Sequence, residues 1–119
     1  MNSLRRLRIA VATKGRQGLE DSVSEVFGRA NTFTIVDVEG EAIRRVEVIE
    51  NPAVTYKYGA GPIVVKTLID HGVDVVVAAS VGPGASGLLE QHNLRTVLVE
   101  PGTRVRDSIG RVLSECRAS

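Results

Sequence analysis

Ala78-Ala79-Ser80-Val81-Gly82-Pro83-Gly84-Ala85-Ser86-Gly87 is the stretch on which the fold turns. It follows an apolar run, Val73 to Ala79, and opens a segment in which Ala85, Leu88, Leu89 and His92 recur at helical spacing. Strand, glycine-rich turn and helix N-terminus follow one another. The first N–H groups of a helix have no partner within it, and its dipole places partial positive charge at the same end. Such a turn suits an anion. Nothing acidic or nucleophilic interrupts it, so binding without transformation is the leading reading.

The same alternation extends to both sides. Leu7 to Thr13 is an almost continuous apolar, β-prone run, as in a strand covered on both faces. Lys14 to Gly18 is a polar loop, and Ser22 with Glu25 has capping-box spacing, which predicts a short helix over 21–25. Thr32 to Val38 and Ile43 to Ile49 flank Glu39-Gly40-Glu41 and predict a hairpin with one wet face. Asn51-Pro52 begins a loop, and Gly59 to His71 reads as a helix with Val64, Val65, Leu68 and Ile69 on its apolar side. After the deciding turn come a strand at Arg95 to Val99 and a helix at Thr103 to Leu113. Thr103 is its expected N-cap, and its stripe is Val105, Ile109, Val112 and Leu113. The order β, short helix, hairpin, α-β-α-β-α predicts a single α/β domain over 1–119, with 1–7 and 115–119 flexible.

Composition narrows the function. Apolar residues make up 43% of the 119 but aromatics only 3%, which leaves no set of base-stacking platforms for nucleic acid. A formal charge of +1 lacks the basic footprint of a nucleic-acid binder. One cysteine excludes an intrachain disulfide and fits a reducing compartment. The basic start, Met1 to Arg8, is followed by an apolar run too short for a signal peptide, and no stretch approaches a membrane span. The expectation is a cytoplasmic protein with neither nucleic-acid nor membrane partners.

The motif series resembles one family. It comprises IAVAT at Ile9–Thr13, VSEVFGRA at Val23–Ala30, IENPAV at Ile49–Val54, GAGP at Gly59–Pro62, HGVDVVVA at His71–Ala78 and GPGA at Gly82–Ala85. In this order, across about Arg8 to Val99, it is similar to the dinitrogenase iron–molybdenum cofactor biosynthesis family. The resemblance implies a ribonuclease H-like topology: a five-stranded mixed sheet flanked by helices. It also implies proteins that bind or carry preformed metal–sulfur clusters. The opening residues, Ile9 to Ala30, look like the orange-protein branch from anaerobic bacteria, whose members hold a molybdenum–copper sulfide cluster non-covalently. One departure is that many members place a histidine before the GAG motif, where this chain has Tyr56-Lys57-Tyr58. That argues against direct metal ligation from this loop.

The candidate cluster-binding residues are Lys14, Arg16, Arg29, Gly59, Gly61, Ser80, Gly82, Gly84, Ala85 and Ser86. Main-chain amides of the Gly82–Ser86 turn and of Gly59–Gly61 would donate to sulfides, while the three cations offset charge. If the first and fourth strands are neighbours, as the family fold implies, the Lys14–Gly18 loop faces Ser80–Gly84. Each assignment has a plainer alternative: a solvated basic loop for Lys14 and Arg16, and an ion pair with Glu25 for Arg29. For the turn it is tight helix–sheet packing with Pro83 at the first helical position. Gly82 to Gly87 also matches G-x-G-x-x-G, with Glu100 ending the next strand, so a dinucleotide or other phosphorylated small molecule is the second reading. Pro83 removes a donor inside that turn and counts against it. A third reading is an interaction domain with a vestigial pocket.

No catalytic residue and no protein metal ligand is expected. His71 and His92 end helices, where the dipole favours them, and Cys116 is placed in a tail beyond the last helix. Two-metal nuclease chemistry would need carboxylates gathered at strand ends, and the first strand carries none. The leading reading is therefore a carrier of an anionic metal–sulfur cluster, with a protein partner in delivery or in a larger complex.

Overall fold

A computed structural model describes residues 6–118. Its elements are β1 (Arg6–Thr13), β2 (Thr32–Glu39), β3 (Ala42–Glu50), α1 (Ala60–Asp70), β4 (Val75–Ala78), α2 (Pro83–Gln91), β5 (Arg95–Leu98) and α3 (Val105–Ala118). The five strands lie in the order β3-β2-β1-β4-β5. β1 runs antiparallel to β2 and parallel to β4, and β4 runs parallel to β5. This is the mixed five-stranded α/β sheet that the family resemblance implies, with β1 and β4 adjacent.

β1 reads as a continuous apolar run because both its faces are covered. Ala10 and Ala12 pack with Val64, Val65, Leu68 and Leu89 of α1 and α2 on one side. Ile9 and Val11 pack with Val105, Ile109 and Val112 of α3 on the other. Each fully buried valine, leucine or isoleucine in these layers contributes about 1.5–3 kcal/mol. Phe27 and Phe33 meet edge to face with ring centroids 5.7 Å apart. Both α1 and α2 end by reversing into a left-handed residue, Gly72 (φ 71°) and Asn93 (φ 62°). The amides of Val73 and Leu94 reach back to the carbonyls of Leu68 and Leu89, so each helix stops where a buried apolar residue re-enters the core.

At the amino end of β1, Arg8 donates from Nε to Asp37 at 2.7 Å and from Nη1 to the His71 carbonyl at 2.7 Å. The hydrogen bond to Asp37 is the main reason its guanidinium holds its proton still more firmly than usual.

Local expectations differ from the structure in four places, the first being the hairpin, in which β2 is buried on both faces and β3 is largely exposed on both, instead of sharing one wet face. Residues 21–25 form no helix: Ser22 bridges Arg104 and Val23 bridges Thr13, and the regular turn nearby is a 3-10 turn at Gly18–Glu20. Fully buried Val23 is held as an extra strand position, and tertiary pairing overrides the capping-box spacing. Thr103 does not cap α3, because its hydroxyl donates to the Glu100 carbonyl at 2.6 Å. Cys116 lies on α3 itself, buried against the Val112 side of the core, rather than in a tail. Of the ends expected to be flexible, residues 6–7 open β1 and 115–118 complete α3, while 1–5 and 119 lie outside the described residues. Among the described residues no helix is long and apolar enough to cross a membrane.

Candidate anion-binding site

The site forms where the chain crosses the carboxyl ends of β1 and β4. After the Val23 bridge, the amide of Ser24 donates to the Ala12 carbonyl at 2.8 Å, which lays the 24–30 segment across the end of β1. Two anchors hold it there. Phe27 is buried against Phe33, and the buried side chain of Asn51 donates from Nδ2 to the carbonyls of Gly28 (2.9 Å) and Ala30 (2.8 Å). The Asn51 Oδ1 accepts from the Ala53 amide at 2.8 Å, so this residue joins the segment to the loop leading into α1. Gly28 and Arg29 are left at the surface between the anchors.

Two helices then begin side by side. Gly59 enters α1 in the left-handed region (φ 75°), and Gly82 enters α2 with Pro83 at the first position. Neither helix has a side-chain cap, and neither carries an acidic residue in its first turn. In α2 the Ser86 amide is taken by the Gly82 carbonyl at 2.9 Å, and Pro83 has no N–H. The amides of Gly84 and Ala85 therefore remain without a helical partner, as do those of Ala60 and Gly61 in α1. Both pairs carry the positive end of a helix dipole.

Glycine makes this convergence sterically feasible. A Cβ on Gly61 would lie 3.2 Å from the Cβ of Ala85, and one on Gly28 would lie 3.3 Å from both the Ala60 Cβ and the Gly61 nitrogen. By contrast, a Cβ on Gly59, Gly82 or Gly84 would meet nothing within 4 Å, so that side is open. The result is a pocket of about 370 Å³ with Val26, Phe27, Ala60 and Pro62 among its walls. The polar side chains lining it are Arg29 and Ser80. Ser80 donates a long bond, 3.5 Å, to the Glu25 carbonyl.

Of the residues singled out from sequence, Arg29, Gly59, Gly61, Ser80, Gly82, Gly84 and Ala85 line this one pocket. Arg29 is exposed and, among the described residues, makes no ion pair with Glu25 or any other acid. Lys14, Arg16 and Ser86 do not line it. Lys14 is exposed, with its carbonyl held by Asn31 at 2.8 Å, and Arg16 is paired with Glu50 at the end of β3. The amide of Ser86 is consumed inside α2. His71 and His92 cap the far ends of α1 and α2. At about 1.5 Å per residue, the 11 residues of α1 set His71 about 16 Å from the pocket end of that helix. Among the described residues no group of three or more His, Cys, Asp or Glu could hold a metal ion. Asn51 escaped the sequence reading, and its signal was the Asn-Pro pair where a strand stops.

A family model described as dinitrogenase iron-molybdenum cofactor matches residues 5–115. The chain belongs to that family. A relative, protein MJ0580 of Methanocaldococcus jannaschii, is 32% identical over 69 residues, and the chain spans 58% of its length. The apo form of the orange protein from Desulfovibrio gigas superposes with a TM-score of 0.79 at 32% identity, covering 91% of this chain and 88% of that one. The crystal structure of PH0822 gives 0.78 at 28% identity, covering 92% and 91%. Sheet order and helix placement in this family member thus agree with solved neighbours over nearly the whole chain.

Proposed function

We propose that this member of the dinitrogenase iron-molybdenum cofactor family is a carrier that holds an anionic metal–sulfur cluster without covalent ligands. The observation that carries the proposal is the convergence of two uncapped, acid-free helix N-termini on one open pocket beside Arg29. Four main-chain amides and one guanidinium make a donor set for sulfide or oxo groups, and the apolar walls strengthen each contact by excluding water. The pocket is also roomier than a single tetrahedral anion needs. The cargo we favour is a molybdenum–copper sulfide cluster, on the resemblance of residues 9–30 to the orange-protein branch.

The same lining argues for carriage rather than catalysis. Arg29 and Ser80 are the polar side chains on the lining, and among its described residues no carboxylate, imidazole or amine stands beside the Ser80 hydroxyl to activate it. A cluster held by amides is released without ligand exchange, which fits assembly in place or delivery to a protein partner in a cytoplasmic, anaerobic setting.

The test is a two-dimensional amide NMR titration of the apo protein with tetrathiomolybdate plus copper(I). The expected result is that Ala60, Gly61, Gly84 and Ala85 move most, with a visible absorption band appearing as they do. If those amides stay still while β3 or α3 responds, the site is elsewhere. If they respond only to phosphate or a nucleotide, the cargo is a phosphorylated small molecule.

A further inference from the structure

A second cavity, of about 540 Å³, lies at the opposite end of the same strand, around the amino end of β1. That volume falls in the range of small-molecule sites. Its charged lining is arranged unevenly. Arg8 is fully engaged: its guanidinium is held by Asp37 and the His71 carbonyl, and its amide donates to Asp74 Oδ2 at 2.8 Å. Arg6 and Arg44 are arranged differently. Both donate through Nε to the one carboxylate of Glu39, at 3.3 and 3.2 Å. Among the described residues their terminal Nη groups have no hydrogen bond.

Two guanidinium groups over one carboxylate leave a net positive unit on that side of the cavity. Glu39 is only 21% exposed, while the side chains of Arg6 and Arg44 are 84% and 63% exposed. A half-buried carboxylate therefore aligns two forks whose free ends face solvent. Paired guanidinium forks match the oxygen geometry of a phosphate monoester. Across the cavity, Asp74 has Oδ1 free among the described residues, which makes it an acceptor for a hydroxyl or ammonium group. Leu7 and Val38 add apolar wall.

We propose that this cavity is a second ligand site, for a small hydroxylated organic phosphate. Arg6 and Arg44 clamp the phosphate, Glu39 positions both guanidinium groups, and Asp74 accepts from a hydroxyl of the ligand. The site is separate from the carrier pocket and does not depend on the cargo assigned there.

Ribose phosphate, ribose and inorganic phosphate are titrated separately into the apo protein, with amide and arginine Nε–Hε signals observed. Ribose phosphate is expected to move Leu7, Gly72, Asp74 and the Nε–Hε signals of Arg6 and Arg44, leaving Gly84 and Ala85 in place. Ribose and inorganic phosphate should each bind at least about tenfold more weakly, because each lacks half of the contacts. Arg6→Ala with Arg44→Ala should weaken ribose phosphate at least about tenfold. Both side chains are exposed, and amide signals remote from the cavity check that the double variant keeps the parent fold although Glu39 loses two cations. The proposal is overturned if millimolar ribose phosphate leaves these signals unmoved or the double variant binds it as well as the parent. Equal affinity for inorganic phosphate or for ribose would overturn it too.

Discussion

Replacing Gly84 by Asp should raise the stability of the apo protein and at the same time lower its affinity for an anion. A Cβ there meets nothing within 4 Å, and Gly84 lies in the first turn of α2 with a negative φ, so no strain opposes the change. A carboxylate in the first turn faces the positive end of the helix, which contributes about 0.3–1 kcal/mol. Leaving glycine behind adds a few tenths more. For a chain of this size the apo melting temperature should rise by about 2–5 °C.

The bound state responds in the opposite direction. A carboxylate about 6 Å from a bound anion repels each unit of its charge by about 0.7 kcal/mol at a dielectric of about 80, and by about 2.8 kcal/mol at about 20. Per unit charge that is a loss of roughly 3- to 100-fold in affinity, shrinking as salt is added. Gly84→Asn is the control, with nearly the same volume and no charge, and it should bind nearly as the parent does. Calorimetric melting and thiomolybdate titration at two salt concentrations give both numbers. Higher apo stability with unchanged affinity in the Asp variant would refute the assignment of the α2 N-terminus as the anion site. Equal losses in Asp and Asn would show that bulk, and not charge, decides.

Arg29→Ala should weaken loading and flatten its salt dependence, since this guanidinium is the cation lining the pocket; an unchanged slope across a salt series counts against it. Asn51→Ala removes three hydrogen bonds and leaves carbonyls at Gly28 and Ala30 without their donor, at a cost of about 2–4 kcal/mol in chemical denaturation. It should also impair loading under conditions where it remains folded, because the segment carrying Arg29 loses its tie. The hydrogen bond from Arg106, with Arg104 nearby, lowers the pKa of Glu20. A depressed carboxylate stabilises above its unfolded pKa and loses that contribution as pH falls through the folded one. The melting temperature of the parent should therefore exceed that of Glu20→Gln near neutrality, and the gap should close in acid, below the ordinary carboxylate range.

Much of the fold was legible because each element carried its own physical cause. β1 and β4 are buried on both faces and read as unbroken apolar runs, and the left-handed Gly72 and Asn93 marked where α1 and α2 stop. Residues 21–25 misled because local capping competed with the bridge from Val23 to Thr13, a partner that no short window contains. Cys116 misled for a simpler reason. The stripe Val105, Ile109, Val112 continues to it at helical spacing, so α3 runs on past Leu113.

The site was legible only in so far as it is made of backbone. Glycines, a helix start and an adjacent strand announce a turn whose amides point outward, whatever the surrounding side chains do. The cations were harder, because their direction depends on loop contacts. The Asp21 carboxylate accepts from the Gln17 amide at 2.9 Å and Asn31 holds the Lys14 carbonyl, which turns the 14–18 loop toward β3, where Glu50 takes Arg16. Backbone construction also bounds what the pocket does. Four amides giving a net of about 1–1.5 kcal/mol each and a guanidinium giving about 1–2 kcal/mol sum to about 5–8 kcal/mol. That corresponds to dissociation constants from about 0.2 mM down to about 1 μM. On the proposed carrier reading, an affinity in that range would let the pocket hold its cargo and still release it to a partner that supplies true ligands. Cysteine thiolates would hold the same metals far more tightly and would require ligand exchange for every transfer. Small residues at Gly28, Gly61 and Ala85 are what let the two helix starts close on one pocket, so the pocket and the packing around it rest on the same few positions.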